Sequence, residues 1–97
     1  MTGKNSAIVV NVDGRKVNLG YRPGLIVAQR IVGGYIELVK ARSSKTGKVV
    51  TLVVNEEGKL RGLPVNRTIT AEYGPSIYKG YVVGNVIVLT GWGTVGM

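Results

Sequence analysis

Apolar residues fall in short runs along this chain, separated by glycines and charges, and the spacing within each run differs enough to assign elements. "AIVVNV", the dipeptide Asp13-Gly14 and "RKVNLG" form a hairpin signal, because Asp-Gly supplies the positive φ angles of a two-residue turn. Strands near 6–12 and 15–19 follow. In "YRPGLIVAQRIVGG", Leu25, Ala28 and Val32 share one helical face with Ile31 beside them, Pro23 suits a first helical turn, and Gly33-Gly34 supplies a stop. The β-branched Ile26, Val27, Ile31 and Val32 suit a strand as well, so a helix is expected against a competing local preference.

"GYIELVKARSSKTGKVVTLVVN" predicts a second hairpin, with strands at 35–41 and 48–54 around the polar connector "RSSKTG". "VVTLVV" does not alternate, which marks a strand buried on both faces and central in its sheet. After residue 55 the chain reads as a long loop to about residue 80, and "YVVGNVIVLTG" supplies a last strand bent at Gly84. The order β-β-α-β-β-β predicts an α+β fold: a small antiparallel or mixed sheet of four to five strands with one helix on one face. No repeat or linker divides the chain, so residues 1–97 are expected to form one domain, with a glycine-rich C-terminal tail from about residue 91 that is flexible or anchored by Trp92.

Composition then narrows the chemistry. The 97 residues contain no His and no Cys, which removes disulfides, thiolate metal sites and the commonest general base. No cofactor, metal or catalytic residue is assigned, and an enzyme is not expected. The apolar runs are too short to span a bilayer and no secretory signal opens the chain, so a cytoplasmic, membrane-free protein is expected. A net charge of +8 draws polyanions, which points to nucleic acid or a phosphorylated nucleotide as the partner. "GWGTVG" spells a dinucleotide fingerprint, but only Met97 follows it, leaving no helix to hold a pyrophosphate.

Two stretches concentrate the candidate chemistry. "KARSSKTGK" places Lys40, Arg42, Lys45 and Lys48 around a hairpin tip without a carboxylate, a pattern for phosphate contact in nucleic-acid binding and equally for a solvated turn that discourages edge pairing. "LVVNEEGKLRGLPVNR" has two readings. As a structural turn, Asn55 bonds nearby amides, Gly58 takes the tight angles, and Leu60, Leu63 and Pro64 peg the following segment to the sheet. As a site, Asn55, Lys59, Arg61, Asn66 and Arg67 ring a pocket for a phosphate or nucleobase. Glu56 and Glu57 are adjacent on an extended chain and diverge, which argues against acid–base or metal chemistry. Tyr73, Tyr78 and Tyr81 gather around Lys79 either to cover the core or to stack on a base.

The blocks "VGGYIELV" at 32–39, "LVVNEEGKLRGLPVNR" at 52–67 and "GNVIVLTG" at 84–91 together resemble a family of small proteins encoded by phages, plasmids and related mobile elements and known as a domain of unknown function. The basic connector, the stretch between Arg67 and Gly80 and the glycine-rich end depart from that pattern. The resemblance implies an accessory protein acting in a host cytoplasm, and by analogy one that disables a host defence component. The function expected is therefore noncatalytic binding of a phosphate-bearing partner through basic surface. The rival expectation is a protein-interaction or assembly module. Apolar sheet edges also fit a homodimer.

Overall fold

The computed structural model describes residues 5–91. Five strands form one antiparallel sheet: β1 (Ser6–Val10), β2 (Lys16–Asn18), β3 (Ile36–Arg42), β4 (Val49–Asn55) and β5 (Val86–Thr90). Their order across the sheet is β2-β1-β5-β4-β3, so each predicted hairpin is present and the last strand inserts between them. That insertion explains the continuous apolar run of β4, whose neighbours are β5 on one side and β3 on the other. Leu52 and Val53 are both fully buried on opposite faces.

A sheet whose middle strands are apolar on both faces needs cover on both. Helix α1 (Leu25–Val32) covers one face, packing Ala28 and Val32 against Ala7, Val9, Val53, Ile87 and Leu89. Its start lies two residues beyond the proline: Gly24 occupies the N-cap, and Pro23 is fully buried ahead of it. The stop is as expected, since Gly33 sits at φ 84 and donates its N–H to the Gln29 carbonyl at 2.8 Å.

The opposite face corrects the expectation of a single helix. Helix α2 (Arg67–Tyr73), followed by a 3-10 turn at Gly74–Ser76, lies within the segment read as a loop. Ile69 and Tyr73, four residues apart, pack with Val10, Val50, Leu52, Val86 and Val88 on the second face. Local sequence hides this helix because Thr68, Ile69 and Thr70 are β-branched and Gly74-Pro75 ends it after seven residues. Among the described residues the architecture is α+β, with five strands and one short helix on each face. Gly84, at φ 78, lies ahead of β5 instead of bending it. The C-terminal tail lies outside the described residues.

Asn66 joins these pieces. It is fully buried, and its Oδ1 accepts from the Ile69 N–H at 3.1 Å, which caps α2. Its Nδ2 donates to the carbonyls of Val10 and Gly84, each at 2.9 Å. One amide side chain thus ties the end of β1, the approach to β5 and the start of α2. Replacing it with alanine removes the cap and two further bonds to main-chain carbonyls, a loss of about 3 kcal/mol. Urea unfolding of Asn66→Ala measures this, and a loss below about 1 kcal/mol would contradict the role.

Tyr73 carries a pH signature of the same layer. Burial pushes its hydroxyl up to about 12, and the neighbouring Glu72 carboxylate adds to the rise by its charge and hydrogen bond. Unfolding exposes a phenol that ionises near 10, so Tyr73's contribution is complete below that pH and is lost as pH rises from 10 to 12. The urea midpoint of the wild type should fall across that window more steeply than that of Tyr73→Phe.

Candidate functional site

The segment following β4 folds back through Asn55. The Asn55 Oδ1 accepts from the Glu57 N–H at 2.8 Å, while its Nδ2 donates to the Val32 carbonyl at 3.1 Å. Arg61 Nη1 donates to the Gly33 carbonyl at 2.8 Å. Two side chains of this turn therefore satisfy the last carbonyls of α1, the groups a helix leaves without partners. A Cβ on Gly34 would stand 3.0 Å from Asn55 Nδ2 and 3.1 Å from Arg61 Nη1, so the second glycine of the pair leaves room for both caps. The pair Gly33-Gly34 and the turn "NEEGKLR" are two halves of one junction.

Of the five residues expected to ring a phosphate, Asn55, Arg61 and Asn66 have their polar groups engaged by backbone. Arg67 is exposed at the first turn of α2; of the five, Asn55 and Lys59 border a cleft, Asn55 with its amide bonded to main chain and Lys59 with its ammonium group at the rim. Leu63 is half-buried and packs near Gly58 and Gly84, as a peg would, whereas Leu60 is 91% exposed and Pro64 is exposed. The structural reading of the stretch holds for its amides and Leu63, and fails for Leu60 and Pro64.

The basic connector is a separate place. It lies at the Arg42–Val49 end of the β3–β4 hairpin, whereas the Asn55 turn lies at the Ile36 end, roughly 20 Å away along a seven-residue strand. Arg42 Nη1 donates to the Gly47 carbonyl at 2.7 Å and so closes the connector upon itself. Ser43 is buried, accepts from the N–H groups of Lys45 and Thr46, and donates to Glu72 Oε2 at 2.6 Å. The connector is thereby docked on the end of α2, with Lys40, Lys45 and Lys48 exposed.

Between these two ends, on the α2 side of the sheet, lies a cleft of about 400 Å³. Its floor is apolar, made by Val39, Leu52, Val54 and Val82. One wall comes from Glu56, Lys59 and Leu60, and the other from Ile77, Tyr78, Lys79 and Tyr81, with Glu37 at the β3 side. Lys59 Nζ stands 4.0 Å from the centroid of the Tyr81 ring, and Lys79 Nζ 5.8 Å from that of Tyr78. The rim thus carries two ammonium groups beside two tyrosine faces above an apolar base.

Lys79 holds an unusual backbone. The Gly80 N–H bonds the Ile77 carbonyl at 2.9 Å, closing a turn in which Lys79 takes φ 68 at the position that normally calls for glycine. Among the described residues it is the one non-glycine residue with positive φ. A lysine there costs about 1–2 kcal/mol relative to an unstrained conformation. Strain of this kind gathers where a side chain is needed. No sequence signal distinguishes Lys79 from the other lysines; the backbone angle does.

A family model matches residues 3–95. The chain belongs to the family described as a domain of unknown function, DUF3846. No curated protein and no solved structure matches the chain. Among the described residues, no helix of this DUF3846 protein is long and apolar enough to cross a membrane, and no three acidic residues converge as a metal site.

The assignment of the turn amides to structure has a direct check. Asn55→Ala removes one bond to a helix carbonyl and one that closes the turn, and should lower unfolding free energy by about 2 kcal/mol. Arg61→Ala, whose guanidinium is solvent-exposed, should cost only about 0.5 kcal/mol. Equal, negligible losses in urea unfolding would return both residues to the pool of ligand-binding candidates.

Proposed function

We propose that this protein is a noncatalytic accessory protein of a phage, plasmid or related mobile element, acting in a host cytoplasm, that binds a phosphate-bearing ligand of nucleotide size in the cleft. The mobile-element setting is supported by the three sequence blocks. The ligand class is supported by the cleft: an apolar floor for a ring, tyrosine faces for stacking, and Lys59 and Lys79 for an anion. Its volume of about 400 Å³ lies in the range of small-molecule sites.

The observation that carries this reading is Lys79 at φ 68, a cation kept on the rim where glycine would be less strained. Lys40, Arg42, Lys45 and Lys48, at the far hairpin end, contribute long-range attraction within the net charge of +8 and make no contact with a ligand in the cleft. A binding role over catalysis is supported by a chain without His or Cys. Interaction with a host protein is the second reading, favoured by Leu60 and Tyr78, which stand 91% and 85% exposed on the two cleft walls.

Lys79→Gly separates binding from folding because its two effects have opposite sign. It relieves the positive φ and should stabilise the fold by about 0.5–1 kcal/mol, after the entropy gained by the unfolded chain is subtracted. Calorimetric titration with nucleoside mono- and diphosphates should show affinity falling with added salt, and about tenfold weaker in Lys79→Gly. Undiminished binding by that variant, or no heat with any of these ligands, would overturn the reading.

A further inference from the structure

The sheet has an open edge at β3. The Glu56 N–H donates to the Tyr35 carbonyl at 2.8 Å and the Ser43 N–H to the Lys48 carbonyl at 2.9 Å, and both bonds lie on the register that pairs β3 with β4. In an antiparallel ladder this parity directs the backbone groups of Glu37, Val39 and Ala41 toward β4, and those of Ile36, Leu38, Lys40 and Arg42 outward. Arg42 agrees, since its N–H is taken by Ser76 Oγ at 2.8 Å. The next amide beyond the strand, Ser44, donates to the Glu72 carbonyl. The fold thus covers the edge at its Arg42 end and leaves residues 36–40 uncovered.

Natural edges of this length are usually blunted by proline, a bulge or charge. The β3 register runs without interruption from Ile36 to Arg42, and the strand contains no proline. The remaining guard is charge, positive on one face of the strand and negative on the other. Lys40 and Arg42 share a face with Leu38 and Val49, which are 37% and 52% exposed. Glu37 lies on the other face, toward the cleft. Two copies of the chain, each at net charge +8, would meet through these cations, so self-pairing is opposed. An acidic strand is attracted by the same groups.

We infer that the outer edge of β3 over residues 36–40 accepts an extended segment of an acidic partner protein by strand addition, with carboxylates on the Lys40–Arg42 face and apolar residues on the Glu37–Val39 face. Main-chain bonds to Ile36, Leu38 and Lys40 provide affinity, and the two faces provide selectivity. Glu37 and Val39 also line the cleft, but the main-chain bonds of strand addition run to Ile36, Leu38 and Lys40, which do not, so this surface does not depend on the cleft ligand.

The probe is a capped heptapeptide of alternating valine and glutamate, which carries all its glutamates on one face. With the isotopically labelled full chain, added peptide should slow amide hydrogen exchange at Leu38 and Lys40 by about tenfold or more, leaving Glu37 and Val39, already bonded to β4, unchanged. The valine–lysine counterpart and a peptide N-methylated at alternate residues should give no protection, and Lys40→Glu should abolish the effect. No protection at Leu38 and Lys40 in millimolar peptide overturns the proposal, as does equal protection by the N-methylated peptide. Concentration-dependent protection without peptide, with a dimer in sedimentation, makes the occupant a second copy and overturns it too. Perturbation confined to Lys59, Tyr78 and Lys79 would place the peptide in the cleft and sink the edge assignment while leaving the cleft reading standing.

Discussion

Everything in this fold depends on closing both faces of a sheet whose three inner strands, β1, β5 and β4, carry apolar residues on both faces. Such strands gain stability only when neither face sees water, and the two short helices that provide the cover are too brief to form alone. They are held by polar side chains at their ends. Asn66 caps α2 from beneath, bonded to the β1 and pre-β5 carbonyls, and Asn55 with Arg61 finishes α1 from the far end of β4. Each helix is therefore anchored to the strand ladder by an amide, and the apolar packing is committed to one register once those bonds form.

This explains which parts of the architecture are legible in the sequence. Both hairpins, α1 and the two-sided burial of β4 follow from patterns within about ten residues, where turn chemistry and periodicity speak for themselves. Helix α2 is not legible in that way. Its composition favours extended structure, and what makes it a helix is the apolar face waiting for Ile69 and Tyr73 and the cap from an asparagine whose other bonds reach back 56 residues to Val10 and forward 18 to Gly84. Tertiary context overrides propensity there. The faint signal available is Asn66 followed by apolar residues at 69 and 73, which a capping-first reading would extract.

The same limit applies to the site. An asparagine that reads a base and one that caps a helix are identical in sequence, and so are an arginine on phosphate and one on a carbonyl. Only the partner distinguishes them, and in "NEEGKLRGLPVNR" the partners of both amides and of Arg61 are main chain. The informative clue is the coupling of Gly33-Gly34 to this turn: a glycine with an ordinary φ at position 34 has a purpose only if something large approaches it, and two side chains do.

Charge follows the same division between structure and availability. Of the five acidic residues, Asp13 bonds the Arg15 amide, Glu72 bonds Ser43 and Glu57 lies exposed in the turn after β4, while Glu37 and Glu56 line the cleft together with Lys59 and Lys79. Uncompensated positive charge is consequently concentrated at the β3–β4 connector, whereas the cleft rim carries two cations and two carboxylates, with the open edge of β3 running between them. An anion approaching this face is attracted to the connector and to individual lysines of the cleft rim, but encounters desolvating apolar surface only in the cleft and unpaired main chain only at the edge. Contacts with those surfaces, more than the summed field, decide what stays bound, because exposed lysines gain little from any single ion pair in water.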